Sequence, residues 1–210
     1  MPDRIPAHQW ENYEVRPEHT AATVMVSALQ QKARPTLRVA HYTTVFPVRG
    51  DLPMAKTIDL NSTKTVLGSR YPHPYDQRCA RRLRRCLGDG AGITHFGVNL
   101  TCLPSGTWSS QRHWHTAEDE FIYVVAGEAV LVTDAGEETL RAGDCAGFKA
   151  GVADGHHLQN RSGADVLYLE VGSRRTAEDE AFYPGIDLRA LKGRAGFAHL
   201  DGEPYGEPTK

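Results

Sequence analysis

Arg112–Glu128 reads RHWHTAEDEFIYVVAGE: two histidines two residues apart, an acidic trio, then an aliphatic and aromatic run closing on glycine. In a β-strand, residues i and i+2 point to the same face. His113 and His115 therefore aim their imidazoles together, and Trp114 points the other way. In EFIYVV, an inward Glu120 carries Ile122 and Val124 inward with it. Phe121, Tyr123 and Val125 then cover the outer face. This is a strand apolar on both sides with one carboxylate at its end. An H-x-H pair alone is weak evidence of a metal site, so its meaning depends on what the rest of the chain builds around it.

Downstream, GHHLQN (155–160) supplies further candidates. His156, Leu158 and Asn160 share one strand face, and His157 and Gln159 share the other. Leu158 belongs in an interior, which makes His156 the better inward histidine and His157 the fallback. Three imidazoles and a carboxylate suit a divalent transition metal such as Fe, Mn, Ni, Co, Cu or Zn. Burying four such groups without a metal is costly, because ionisable side chains there lose water.

The surroundings are β-like. From Ile93 onward, short apolar segments alternate with turns: ITHFGVNLTCL, WSSQRHWH, EFIYVVAG, EAVLVTD, CAGFKAG, HHLQN and DVLYLEVGS. Turn signals lie at Asp134-Ala135-Gly136 and Ala142-Gly143-Asp144. At least seven regularly spaced short strands without a long helix predict an all-β barrel or sandwich. The tail Tyr183–Lys210 is polar and glycine-rich and is expected to be irregular.

Residues 1–53 mix a proline-punctuated acidic start, one apolar run (Ala22–Leu29) and a basic patch, without a sustained period. They are expected to form an extension or arm, with Met54 as a natural start and residues 54–210 as the domain. The run RCARRLRRCL carries five arginines between Arg78 and Arg85. A solvated face, or a rim for an anionic substrate, fits it better than a nucleic-acid surface, given its shortness.

Composition narrows the class. A chain of 210 residues buries a proper core as one domain. A net charge of −2 gives no general attraction to nucleic acid or anionic membrane. There is no apolar run of about 18 residues, and the N-terminus lacks the apolar core of a signal peptide. The expected location is cytoplasmic. Cys79, Cys86, Cys102 and Cys145 contain no C-x-x-C pair, so a thiolate zinc cluster is not expected. Cys102 and Cys145 are expected to pack as small hydrophobes.

Residues 106–127, GTWSSQRHWHTAEDEFIYVVAG, resemble cupin motif 1, G-x5-H-x-H-x3,4-E-x6-G. Gly106, His113, His115, Glu120 and Gly127 fill it, with six residues instead of five between Gly106 and His113. The spacing to Gly127 selects Glu120 over Glu118 or Asp119, which read as loop. Residues 143–160, GDCAGFKAGVADGHHLQN, resemble motif 2, G-x5-P-x-G-x2-H-x3-N, through Gly143, Gly151, His156 and Asn160. Lys149 replaces the proline, and two extra residues precede the histidine. That longer loop keeps His157 in play as the third histidine, and Asn160 fits a strand-ordering role better than a ligand role. The wording is similar to small single-domain bacterial cupins, which typically begin near this chain's Met54.

The resemblance implies a cupin double-stranded β-helix, or jelly-roll barrel, over roughly residues 93–172. It also implies one divalent metal (Fe, Mn, Zn or Ni) held by His113, His115, Glu120 and His156. It leaves the reaction open, because the fold hosts isomerases, dioxygenases, decarboxylases, epimerases and sugar-binding domains. For sugar or sugar-phosphate isomerisation, Glu120 and His157 are the candidate catalytic bases. Arg112, Lys149 and the arginine run are candidates for holding an anionic substrate group. For oxygenation, Trp108 and Phe148 are candidates for shaping a drier pocket; the competing reading makes Trp108, Trp114, Tyr123 and Phe148 packing residues. A non-catalytic small-molecule or sugar-binding module is the alternative to an enzyme. The apolar outer set Phe121, Tyr123 and Val125 predicts a homodimer formed through the sheet.

Overall fold

The computed structural model describes residues 57–193 and 195–206. The expected extension 1–53 and its boundary at Met54 lie outside the described residues. In chain order the strands are β1 (Thr65–Leu67), β2 (Leu83–Cys86), β3 (Phe96–Leu103), β4 (Trp114–His115), β5 (Glu120–Ala126) and β6 (Glu128–Thr133). They continue with β7 (Gly136–Arg141), β8 (Cys145–Phe148), β9 (His157–Gln159), β10 (Val166–Ser173), β11 (Ala181–Phe182) and β12 (Arg189–Ala190). One turn of 3-10 helix (Gln77–Cys79) and one short helix, α1 (Leu87–Gly90), interrupt them. The all-β reading holds.

The strands form a six-stranded sheet in the order β1-β2-β3-β10-β5-β8 and two three-stranded sheets, β7-β6-β9 and β12-β11-β4. Among the described residues every strand pairing is antiparallel. Isolated bridges Trp108↔Gln159 and His113↔His156 tie the segment leading into β4 to the β9 side. The sheets are not closed into a continuous barrel, and their arrangement is that of a jelly roll.

β5 shows why the fold forms. Ile122 and Val124 are buried while Phe121 and Tyr123 are exposed, the alternation expected of a strand with one face on a core. Leu103, Ile122, Val124, Leu131, Leu158 and Tyr168 meet in that core, bringing β3, β5 and β10 of the large sheet against β6 and β9. Burial of such side chains contributes about 1.5–3 kcal/mol each. Between β5 and β6 the chain turns at Gly127, with φ +79°. A Cβ there would lie 2.6 Å from the Asp165 carbonyl oxygen, so only glycine fits. Asn160, 1% exposed, closes the other end. Its amide donates to the carbonyls of Leu103 (2.7 Å) and Ala164 (2.8 Å), and its oxygen accepts from the Ser162 N–H (2.9 Å) and hydroxyl (2.8 Å).

Three local expectations are revised. The described part of the tail from Tyr183 is not wholly irregular: β12 pairs with β11, and Tyr183 and Leu188 join Tyr71, Cys79 and Ala181 in a second core. Its apolar residues come in runs too short to show a period. The arginine run is not a solvated face either. Arg82 and Arg85 are buried in and beside β2, and Arg82 donates to the Gly68 carbonyl (3.2 and 2.9 Å) and to that of Ser109. Arg84 pairs with Glu170 at 2.6 Å, which leaves Arg78 and Arg81 exposed. Finally, Cys102 is buried as expected, but Cys145 is exposed, because it opens edge strand β8 on the outward row of Tyr123.

Candidate metal centre

His113 and His156 are held side by side by reciprocal backbone bonds: His113 N–H to the His156 carbonyl (3.2 Å) and His156 N–H to the His113 carbonyl (2.8 Å). His115 follows two residues on in β4, on the same face as His113. Glu120 begins β5, opposite Phe148 of β8 on one side and Gly172 of β10 on the other. The side chains converge on one oxygen. Glu120 Oε2 lies 2.9 Å from His156 Nε2, 3.6 Å from His113 Nε2 and 3.7 Å from His115 Nε2.

The rings are fixed from behind. His113 Nδ1 faces the Gln111 carbonyl at 2.9 Å, and His115 Nδ1 faces the Asp179 carboxylate at 2.6 Å. Phe148 stacks on His156 with centroids 3.6 Å apart and an interplanar angle of 1°, and Tyr183 stacks on His113 at 5.6 Å. With these Nδ1 atoms turned outward to acceptors, the Nε2 lone pairs are presented toward Glu120. Three imidazole nitrogens around a carboxylate oxygen is a donor set that fits a divalent transition metal.

Electrostatics agree with the geometry. Burial opposes the charge on Glu120, but the His156 hydrogen bond and the three neighbouring imidazoles outweigh it and hold the carboxyl at about 2. Burial pushes His113 down to about 4, so its imidazole is neutral and able to donate a lone pair at neutral pH. Burial also works against charging His115, but Glu120 and Asp179 win and raise it. Glu118 is raised by burial.

A cavity of about 200 Å³ opens beside the cluster, with His115, Glu120 and His156 in its wall. Phe148 and Lys149 line it, as do Trp114, Glu118, Val152 and Asp154. Other sequence candidates stand elsewhere. His157 is buried on the opposite face of β9 from His156. Its Nδ1 faces the Ser110 carbonyl (3.0 Å), and its Nε2 lies 2.8 Å from the Gln159 amide nitrogen. It is therefore not brought to Glu120. Trp108 packs edge-on against His157 at 4.8 Å, in the second core and away from the cavity. Arg112 pairs with Asp134 and does not line the cavity.

Two acidic residues escaped the sequence reading. Glu118, read as loop, is in the cavity wall, its Oε1 accepting the Arg175 N–H at 2.6 Å. Asp179 lies 64 residues from His115, within the acidic run Glu178-Asp179-Glu180, where no spacing signals a partner.

Residues 99–172 match the family model for the cupin domain. A sugar phosphate isomerase of the cupin superfamily from Silicibacter pomeroyi DSS-3 is 40% identical, with a TM-score of 0.67 over 72% of this chain and 97% of its own. A putative sugar phosphate isomerase from Acidithiobacillus ferrooxidans is 26% identical, with a TM-score of 0.56 over 66% of this chain and 88% of its own. No curated protein matches the chain.

Proposed function

The chain belongs to the cupin superfamily, and from that premise we propose that it is a metal-dependent enzyme acting on a small oxygenated substrate, in the manner of a sugar or sugar-phosphate isomerase. The observation that carries the reading is the convergence of His113, His115 and His156 on Glu120 Oε2 at the wall of a small cavity. These four residues would hold one divalent ion. Such an ion, when bound, supplies Lewis-acid polarisation of a carbonyl or hydroxyl oxygen.

The chain's own residues divide the remaining work. Glu120, held ionised by three imidazoles, is suited to being a ligand and poorly suited to taking and returning a proton. His157 has both ring nitrogens engaged outside the cavity. Glu118, with one oxygen anchored by the Arg175 N–H, is the better-placed carboxylate for moving a proton between adjacent carbons of a substrate. Among the described residues, Lys149 is the one lysine or arginine in the cavity wall, and it suits an anionic or hydroxyl group at the cavity mouth. Trp114, Phe148 and Val152 limit water there. The two isomerase structures similar to this chain support the same reading.

The test is to load the protein with Mn(II), Zn(II), Fe(II) or Ni(II) and follow aldose and ketose sugars and their phosphates by NMR. Interconversion under at least one metal is expected. Tight binding with no consumption under any of them makes the protein a binding module instead.

The outer face of the six-stranded sheet supports a homodimer. Phe121 and Tyr123 are 43% and 42% exposed, in register with Val171 and Leu169 of β10.

A further inference from the structure

The loop between β10 and β11 reaches the candidate metal centre through one side chain. Asp179, 8% exposed, places Oδ2 2.6 Å from His115 Nδ1. Its other oxygen accepts the Ala117 N–H (2.8 Å), the Glu118 N–H (3.2 Å) and the Thr116 hydroxyl (3.4 Å). The two strands it joins are already paired: Thr116 N–H bonds the Glu180 carbonyl (3.0 Å), and Glu180 N–H bonds the Thr116 hydroxyl (2.8 Å). One carboxylate thus grips the turn Thr116–Glu118 with one oxygen and the His115 ring with the other.

We propose that Asp179 is a positioning residue that fixes His115 as the Nδ1–H tautomer, leaving its Nε2 lone pair free toward Glu120, and that sets the turn carrying Glu118 to the cavity wall. The physical reason is that an ionised carboxylate has only acceptor sites. Facing an imidazole nitrogen at hydrogen-bond distance, it requires a proton on that nitrogen. In the neutral form that can act as a ligand, the imidazole has one ring proton, so the opposite nitrogen is then bare. Outer partners of this kind orient a ligand histidine and raise its basicity, and losing one typically costs 10–100-fold in metal affinity. The inference rests on the metal reading of His113, His115, Glu120 and His156, and its own content is the role of Asp179.

The test uses Asp179→Asn, which keeps shape and, with its oxygen toward the turn, keeps an acceptor for Ala117 and Glu118. Its NH2 group then faces His115 Nδ1 as a donor and drives the ring proton to Nε2. Two measurements follow: Co(II) affinity by competition titration, and the His115 tautomer in the metal-free protein by ¹⁵N–¹H correlation. The wild type is expected to carry the proton on Nδ1. The variant is expected to carry it on Nε2 and to bind Co(II) about 10–100-fold more weakly. Wild-type affinity in a folded Asp179→Asn, or a wild-type His115 protonated on Nε2, overturns the proposal. If the variant fails to fold, the wild-type tautomer still decides. Failure of the wild type to bind Co(II), with the proton on Nδ1, overturns the metal reading and leaves the tautomer assignment standing.

Discussion

Phe148 lies flat on the imidazole of His156, centroids 3.6 Å apart and planes within 1° of parallel. Both residues line the cavity beside the candidate site, one from β8 and one from the segment entering β9. Stacked rings of this kind are worth about 0.5–1.5 kcal/mol beyond their buried area. Phe148→Leu is therefore expected to loosen His156 and weaken Co(II) binding by about 2–10-fold, with the fold retained. Isothermal titration with Co(II) measures this, and unchanged affinity would show that the stack does not help hold the ring.

The paired histidines 156 and 157 separate ligand from scaffold. His113→Ala and His156→Ala are each expected to lose metal, measured by elemental analysis of the purified proteins. His157→Ala is expected to keep its metal but to lose about 1–3 kcal/mol of stability, since it strips partners from the buried Ser110 carbonyl and Gln159 amide. Metal retained in His156→Ala and lost in His157→Ala would reverse the assignment.

Thiol chemistry follows burial. Cys79, Cys86 and Cys102 are buried and Cys145 is exposed, so a thiol reagent at pH 8 is expected to label Cys145 rapidly and the other three only in denaturant. Burial pushes the Cys79 thiol up to about 11. The unfolded chain releases that proton near its ordinary value of 9, the folded one near 11. The Cys79 contribution is thus complete below pH 9 and is lost as pH rises through 11, about 2–3 kcal/mol in all. Denaturant melts of wild type and Cys79→Ala across pH 8–11 read this out: the alkaline loss should shrink in the variant.

Gly127→Ala is expected to destabilise by about 2–4 kcal/mol, because φ of +79° strains any other residue and the new Cβ meets the Asp165 carbonyl oxygen at 2.6 Å. Gly106→Ala, with nearly the same φ of +77° but open space around its Cβ position, is expected to cost less. Equal melting midpoints for the two variants would refute the close-approach explanation.

The exposed pair Phe121 and Tyr123 gives a test of assembly. Sedimentation of the wild type is expected to show a dimer, and Tyr123→Glu is expected to shift it to a monomer without unfolding. A wild type that sediments as a 23.2 kDa monomer removes the dimer inference.

Much of the barrel is legible in the chain itself, because strand alternation is a local property. The burial of Ile122 and Val124 against the exposure of Phe121 and Tyr123 follows from a period of two and needs no knowledge of neighbours. The same alternation separates His156 from His157 and places His113 with His115. Family resemblance adds which carboxylate joins them. The inward-packed arginines in and beside β2 are not legible. Their charge argues for solvent, and only a folded partner, Glu170 for half-buried Arg84 or the Gly68 carbonyl for buried Arg82, makes burial affordable.

The sequence by itself determines the all-β class and the faces on which the candidate side chains lie, because strand period is written along the chain; the cupin resemblance adds Glu120 and leaves His156 and His157 both open as the third histidine. Tertiary structure alone decides what stands around them. It withdraws Arg112, Trp108 and His157 from the cavity, brings Glu118 into its wall, and sets Asp179 against His115 across 64 residues. Those outcomes depend on which strands pair and where a loop returns. Hydrogen bonds between residues distant in sequence leave no periodic trace for a linear reading to find.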